Sequence, residues 1–194
     1  MPYNTTITEG NRLLDLSVVD GDLVALMTTS GDPTTAGTEV TGGSYARQAS
    51  AWLASSSEYK PSSGAITFSG MPTCSLQGWE LWKSDGSERK WYGLFAPKVG
   101  LVVGDTISAA AHGFAANQKI VFQAAYCPSD LSPNVTYYVV SPTTDAFSVS
   151  ATSGGAALTL GTGPGYGVVV GTVYDFTSGD TFVIDDGALA VTLF

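Results

Sequence analysis

Glycine and proline interrupt this chain so often that long regular elements have little room to form. The 194 residues include 23 glycines and 9 prolines, spread along the whole length. Between them lie short runs of Val, Ile, Thr, Tyr and Phe. Such residues fit a pleated, half-buried surface, and Gly and Pro supply the turns between strands. The pattern predicts an all-β protein. Only "TEGNRLLDLSVV", Thr8 to Val19, has a spacing compatible with a helix, so at most one short N-terminal helix is expected.

The polar residues limit what the surface can do. Charged residues make up 13% of the chain, about half the usual share, and the formal net charge is -9. Lys and Arg do not cluster, so the basic footprint of a nucleic-acid-binding protein is missing. The same balance disfavours anionic membrane surfaces. No apolar run approaches the roughly 20 residues of a membrane-spanning helix. The segment "MPYNTTITEGNRLLD" lacks a basic stretch followed by an apolar one, so no secretory signal is expected. Ser, Thr, Gly and Asn build the polar surface instead, which suits a protein packed against neighbours and is shared by extracellular adhesins.

Several strands can be placed. "GDLVALMTT", Gly21 to Thr29, reads as a buried strand followed by the loop "SGDPTTAG". In "SYARQASAWLA", Ser44 begins a strand with Tyr45, Arg47, Ala49 and Ala51 on one face. Ala46, Gln48, Ser50 and Trp52 lie on the other. A short strand covers Ala65 to Ser69. "GWELW" and "KWYGLFA" flank the turn "KSDGSE" and form a hairpin. Trp79, Trp82 and Trp91 on that hairpin make an aromatic cluster that anchors the first module. Trp79 and Trp82 are three apart, so a strand points them to opposite faces. One therefore joins the core, and the other lies on a surface that assembly or a ligand covers.

The tripeptide Gly-Asp-Thr occurs twice, at Gly104 to Thr106 and Gly179 to Thr181. In both, Gly permits positive φ and Asp caps the turn. The second copy is read as continuing the first module, with an insertion between them. The domain reading is a discontinuous, β-sandwich-like module over residues 1–99 and 172–194. A small β module over 100–171 is inserted into it, with strands at Tyr137–Val140 and Ala146–Ser150.

Two sets of segments carry a resemblance. "VALMTTSGDPTTAGTEVTGGSYARQ", "GAITFSGMP", "GWELW", "WYGLFAPK" and "SGDTFVIDDGALAVTLF" resemble small bacteriophage virion proteins of the kind labelled phage tail fibre proteins. In that family the "APK" segment runs almost directly into "GDT" and a closing strand. "HGF", "IVFQ" and "LSPNVTYYVVSPTTDAFSVSATSGGAALTL" are similar to a β module that recurs in phage structural proteins. The resemblance implies a non-enzymatic virion structural protein, of tail-fibre or minor-tail type, on the particle exterior. It implies partners among other virion proteins of the tail or capsid, and a virion location after assembly in the host cytoplasm. A homo-oligomer is expected, with a trimer favoured. The alternatives are a capsid decoration protein and a module that binds a host surface glycan.

No motif with catalytic or cofactor chemistry emerges. "GTEVTGGSYARQ" lacks the Lys-Ser/Thr of a phosphate-binding loop, and no helix follows it. It reads as a turn at Gly42 and Gly43, then Tyr45 packing and Arg47 anchoring a carboxylate or carbonyl. His112 has no local nucleophile or orienting partner and reads as structural. Asp185 and Asp186, and the acids of Asp32 to Glu39, read as turn residues rather than calcium ligands. Cys74 and Cys127 read as buried free thiols. The sequons at Asn4 and Asn134 would go unused in a bacterial host. No cofactor and no metal are expected. The candidate interface residues are Tyr45, Arg47, Trp52, Trp79 and Trp82.

Overall fold

A computed structural model describes residues 7–160 and 167–192. Helix α1 (Ile7–Ser17) opens the described chain. Leu14, and Val18 just beyond it, are fully buried and dock the helix on the core.

Nine strands follow: β1 (Leu23–Thr29), β2 (Thr38–Glu39), β3 (Gln48–Ala49), β4 (Ala51–Trp52), β5 (Tyr59–Ser63), β6 (Ile66–Phe68), β7 (Cys74–Leu76), β8 (Gly78–Trp82) and β9 (Arg89–Leu94). One sheet runs β2-β1-β8-β9, with β3 also pairing β1. Its inner face carries Val24 and Leu26 of β1 opposite Leu81 and Trp79 of β8. Period-two alternation places these four side chains together on one face.

Six more strands close into a barrel: β10 (Lys98–Val103), β11 (Thr106–Ser108), β12 (Lys119–Phe122), β13 (Tyr137–Val140), β14 (Ala146–Ser150) and β15 (Gly167–Thr172). Their order around the barrel is β10-β11-β14-β13-β12-β15, and every pairing is antiparallel. Closure removes every free strand edge. Val102, Ile107, Ile120, Phe122, Tyr137, Val139, Phe147, Val149, Val168 and Val170 fill the interior.

The remaining strands, β16 (Tyr174–Phe176), β17 (Phe182–Ile184) and β18 (Ala190–Thr192), return to the first part of the chain. They pair with β7, β6 and β5 respectively. Ile184, Leu189 and Val191 thereby enter the same core as Val24, Leu26, Phe68 and Leu81.

The "TGGSY" segment is a turn, but Ser44 does not begin a strand. Gly42 and Gly43 both take positive φ, at 97° and 59°. The Ser44 N–H donates to the Gly70 carbonyl, and Tyr45 N–H to the Gly42 carbonyl. A side chain on Gly43 would run into the Gly70 carbonyl oxygen. The backbone of this segment is committed to the turn, and pairing resumes only at Gln48. The single strand expected over "SYARQASAWLA" is therefore two short strands, β3 and β4, in different sheets. Strand β5 was not anticipated, because Pro61 sits at its centre.

The two Gly-Asp-Thr turns share the glycine conformation, with φ of 60° at Gly104 and 94° at Gly179. Their aspartates differ. Asp180 accepts from the Thr177 N–H and hydroxyl and closes its own turn. Asp105 instead accepts from the Leu160 N–H, 55 residues away.

Barrel and first core meet at a small apolar seam of Leu94, Val121 and Val173, with Val169 against it. Polar contacts fasten the same junction. The Asn134 Oδ1 accepts from both the Ser30 N–H and the Ser30 hydroxyl, at 2.9 and 2.7 Å. Its carbonyl accepts from Gln77 Nε2. Lys119 of the barrel pairs with Asp175 at 2.7 Å, and Asp175 also accepts from the Ser75 hydroxyl.

The two cores are separate clusters, so each can be tested alone. Excising residues 101–171 and joining Gly100 to Thr172 is expected to leave a soluble β protein. It should melt cooperatively, at a lower temperature than the full chain because Leu94 and Val173 lose their cover. Circular dichroism checks this. An aggregated or unfolded product would mean that the parts fold only together.

Candidate interaction surface

The outer face of the β8 hairpin carries a polar cluster built on Glu80 and Trp82, which alternate with the core residues Trp79 and Leu81. Glu80 is fully buried. Its Oε1 accepts from the Gly37 N–H at 2.8 Å and from Arg89 Nη1 at 2.9 Å. Arg89 also donates to the carbonyls of Thr35 and Asp32 and lies over the Tyr92 ring. The loop over residues 32–37 is thus tied to the sheet through one buried ion pair. Within the loop, Asp32 Oδ1 accepts from Thr34 and Thr35, and these bonds hold its carboxyl below the usual range.

Arg47 lies beside this cluster. It donates twice from Nε and once from Nη2 to the Glu39 carboxylate, at 2.7 to 3.1 Å. Its guanidinium carbon stands 4.4 Å from the Trp82 ring centroid. The carboxylate expected for Arg47 is therefore one from its own chain, eight residues earlier. Tyr45 receives the Leu26 N–H at its hydroxyl and donates to Glu39 Oε1. Its ring stacks on Phe68 at 6.0 Å. Burial pushes the Tyr45 phenol well above its ordinary value.

The tryptophans separate. Trp79 packs on the core, half-buried, opposite Gly93. A side chain on Gly93 would meet the Trp79 indole at about 3.0 Å, so the glycine makes room for that ring. Trp91 stands opposite Leu81 and also packs on the core. Trp82 faces outward beneath Arg47. Trp52 is a core residue, only 8% exposed, and its indole N–H donates to the Ser50 hydroxyl. It is not part of an exposed surface, because β4 turns it inward into the first core cluster.

Other singled-out residues hold structure. His112 is buried between Phe114 and Phe147. Its Nδ1 accepts the Phe114 N–H, which leaves Nε2–H to face the Ala146 carbonyl. Asp186 accepts from the Gly64 N–H. Among the described residues, no group of three or more His, Cys, Asp or Glu is placed to hold a metal. An open cleft of about 370 Å³ lies between Leu16 and Ser17 of α1 and Glu88 to Trp91. Its cations are already committed, Arg89 to Glu80 and Lys90 to both oxygens of the buried Asp22.

Cys74 and Cys127 are free thiols packed against different cores. Burial pushes the Cys127 thiol up to about 11 and raises Cys74 as well, aided by the nearby Asp175. At neutral pH both stay protonated, and the thiolate is the reactive form. Both should alkylate several-fold more slowly in the folded protein than in denaturant at pH 7.5, as followed by mass spectrometry. Equal rates in both states would show the thiols to be unprotected.

The sequence reading did not single out the barrel exterior. Val99, Leu101 and Val103 occupy the outward positions of β10 and are 75%, 51% and 59% exposed. They form a straight apolar row. The cross-strand residues beside them are Val169, Gly167, Ser108 and Thr106, none of them charged. The signal was present in "KVGLVV", where apolar residues occupy both faces of a short strand.

Seven of the eight basic residues, Arg12, Arg47, Lys60, Lys83, Arg89, Lys90 and Lys119, pair with carboxylates of the same chain. The cations are thus taken up within the chain, and the excess charge is acidic, in keeping with the net charge of -9. Comparison of the chain with known protein families, with curated proteins and with solved structures found no match.

Proposed function

We propose that this chain is a non-enzymatic structural protein of a bacteriophage virion, of the tail-fibre or minor-tail kind. It works as a homo-oligomer packed against other virion proteins. The observation that supports the reading best is the uncharged apolar row on a closed barrel, Val99, Leu101 and Val103. A closed barrel offers no strand edge, so contacts that the barrel makes with a partner must use side-chain faces. The pairing of the cations within the chain agrees with this, because it leaves little positive charge for steering an anionic ligand. The resemblance of the quoted segments to phage virion proteins supplies the particle.

Capsid decoration remains the second reading, since the same surfaces could cement capsomers. Quantitative mass spectrometry of purified particles decides between the positions. The protein is expected in the particle, at a handful of copies for a tail position. Hundreds of copies would move it to the capsid. Its absence from purified particles would overturn the virion reading.

A further inference from the structure

We infer that the outer face of β10 is where copies of this chain meet each other, stripe against stripe. The inference rests on the assembly reading above and names its surface.

The argument for a second copy begins with charge. Each chain carries a net charge of -9, so two copies repel at most approaches. They can come together only where charge is thinned out. Interface cores show that depletion, and this face has it. Val99, Leu101 and Val103 form the row, and Val169, Gly167, Ser108 and Thr106 flank it. A more basic partner would seek the acidic surface elsewhere, not this neutral strip.

Shape gives the second reason. Alternate residues on a strand are spaced about 6.8 Å apart. Three such side chains make knobs separated by gaps of similar width, and an identical row can interdigitate with them. A patch that fits itself is what a two-fold dimer requires. The row also continues into an existing contact. Val169, opposite Val99, packs on the Leu94–Val121–Val173 seam between barrel and first core. The strip is therefore backed by packed structure and is held firm.

Three side chains fill only part of the roughly 800 Å² that each partner buries in a standard interface. Self-association is accordingly weak in dilute protein and is reinforced by neighbours on a particle.

The test is sedimentation of the full chain over a wide concentration range. The wild type should show concentration-dependent association into a dimer. Leu101→Asp should weaken it by about tenfold or more, with only a small drop in the thermal melt because about half of the side chain is exposed. Val99→Thr with Leu101→Thr is a milder pair if the aspartate perturbs folding. In a Cys74→Ser, Cys127→Ser background, Leu101→Cys should form a disulfide-linked dimer under mild oxidation.

A wild type that stays monomeric throughout, with no cross-link, overturns the inference. So does association that Leu101→Asp leaves intact. A monomeric wild type whose Leu101→Asp variant is lost from particles would assign the strip to a different virion protein. If the chain self-associates through the strip yet is missing from purified particles, the inference stands and the virion reading falls.

Discussion

Glu80→Ala should destabilise the folded protein by about 3–5 kcal/mol, the range for removing one partner of a buried ion pair. The Glu80 side chain is fully buried and that of Arg89 is 13% exposed. The change strands the Arg89 guanidinium beneath the 32–37 loop and removes the acceptor of the Gly37 N–H. Urea denaturation gives the size of the loss. Glu80→Gln should be milder, because its amide oxygen can still accept from Gly37. The double change Glu80→Met with Arg89→Met should recover part of the loss, since no unpaired charge remains. A single Ala variant within about 1 kcal/mol of the wild type would mean that the pair is solvated and the loop held by other contacts.

Gly171→Ala should break the seam between barrel and first core. A Cβ at this position would stand 2.5 Å from the Leu94 Cβ and 3.1 Å from the Phe95 carbonyl oxygen. Neither neighbour can swing away, since the first is anchored at its own backbone. The second accepts the Thr172 N–H at 2.9 Å. Strand β15 must therefore shift off β9, which wets Leu94, Val121 and Val173. Overpacking of this kind costs about 1–3 kcal/mol. The thermal melt should change from one transition toward two, and the Thr172 and Val173 amides should exchange faster. Gly167→Ala is the control, since it lies on the same strand with open space around its Cβ position. Equal effects of the two changes would remove the close-approach argument.

Local chemistry made some of this architecture readable in the sequence. Strands Tyr137–Val140 and Ala146–Ser150 alternate cleanly around "SPTTD", and the hairpin of β8 and β9 is set by its turn. Barrel closure was not readable. It needs β10 to pair with β15 across some seventy residues, and nothing within either strand names its partner. Proline concealed β5.

Side-chain roles were harder to read than strands. Opposite faces for Trp79 and Trp82 follow from period two. Which face is the core depends on what the rest of the chain lays over it. Arg47 stood out because cations are scarce, but its carboxylate lies in a neighbouring loop-and-strand segment with no periodic link to it. The β10 row escaped notice because an exposed and a buried valine look the same in a string of letters. Only the inward turn of Val102 distinguishes them.

The pairing of β10 with β15 has a consequence for how such a chain could arise and be reused. Lys98 lies directly opposite Val170, and facing residues in an antiparallel pair have Cα atoms about 4.5–5.5 Å apart. The chain thus leaves for the barrel and comes back at nearly one point. A gene could acquire or discard the intervening stretch by recombination without moving the strands on either side. The same geometry makes this junction a natural place to graft foreign cargo, because any small fold whose ends lie side by side can be spliced in there.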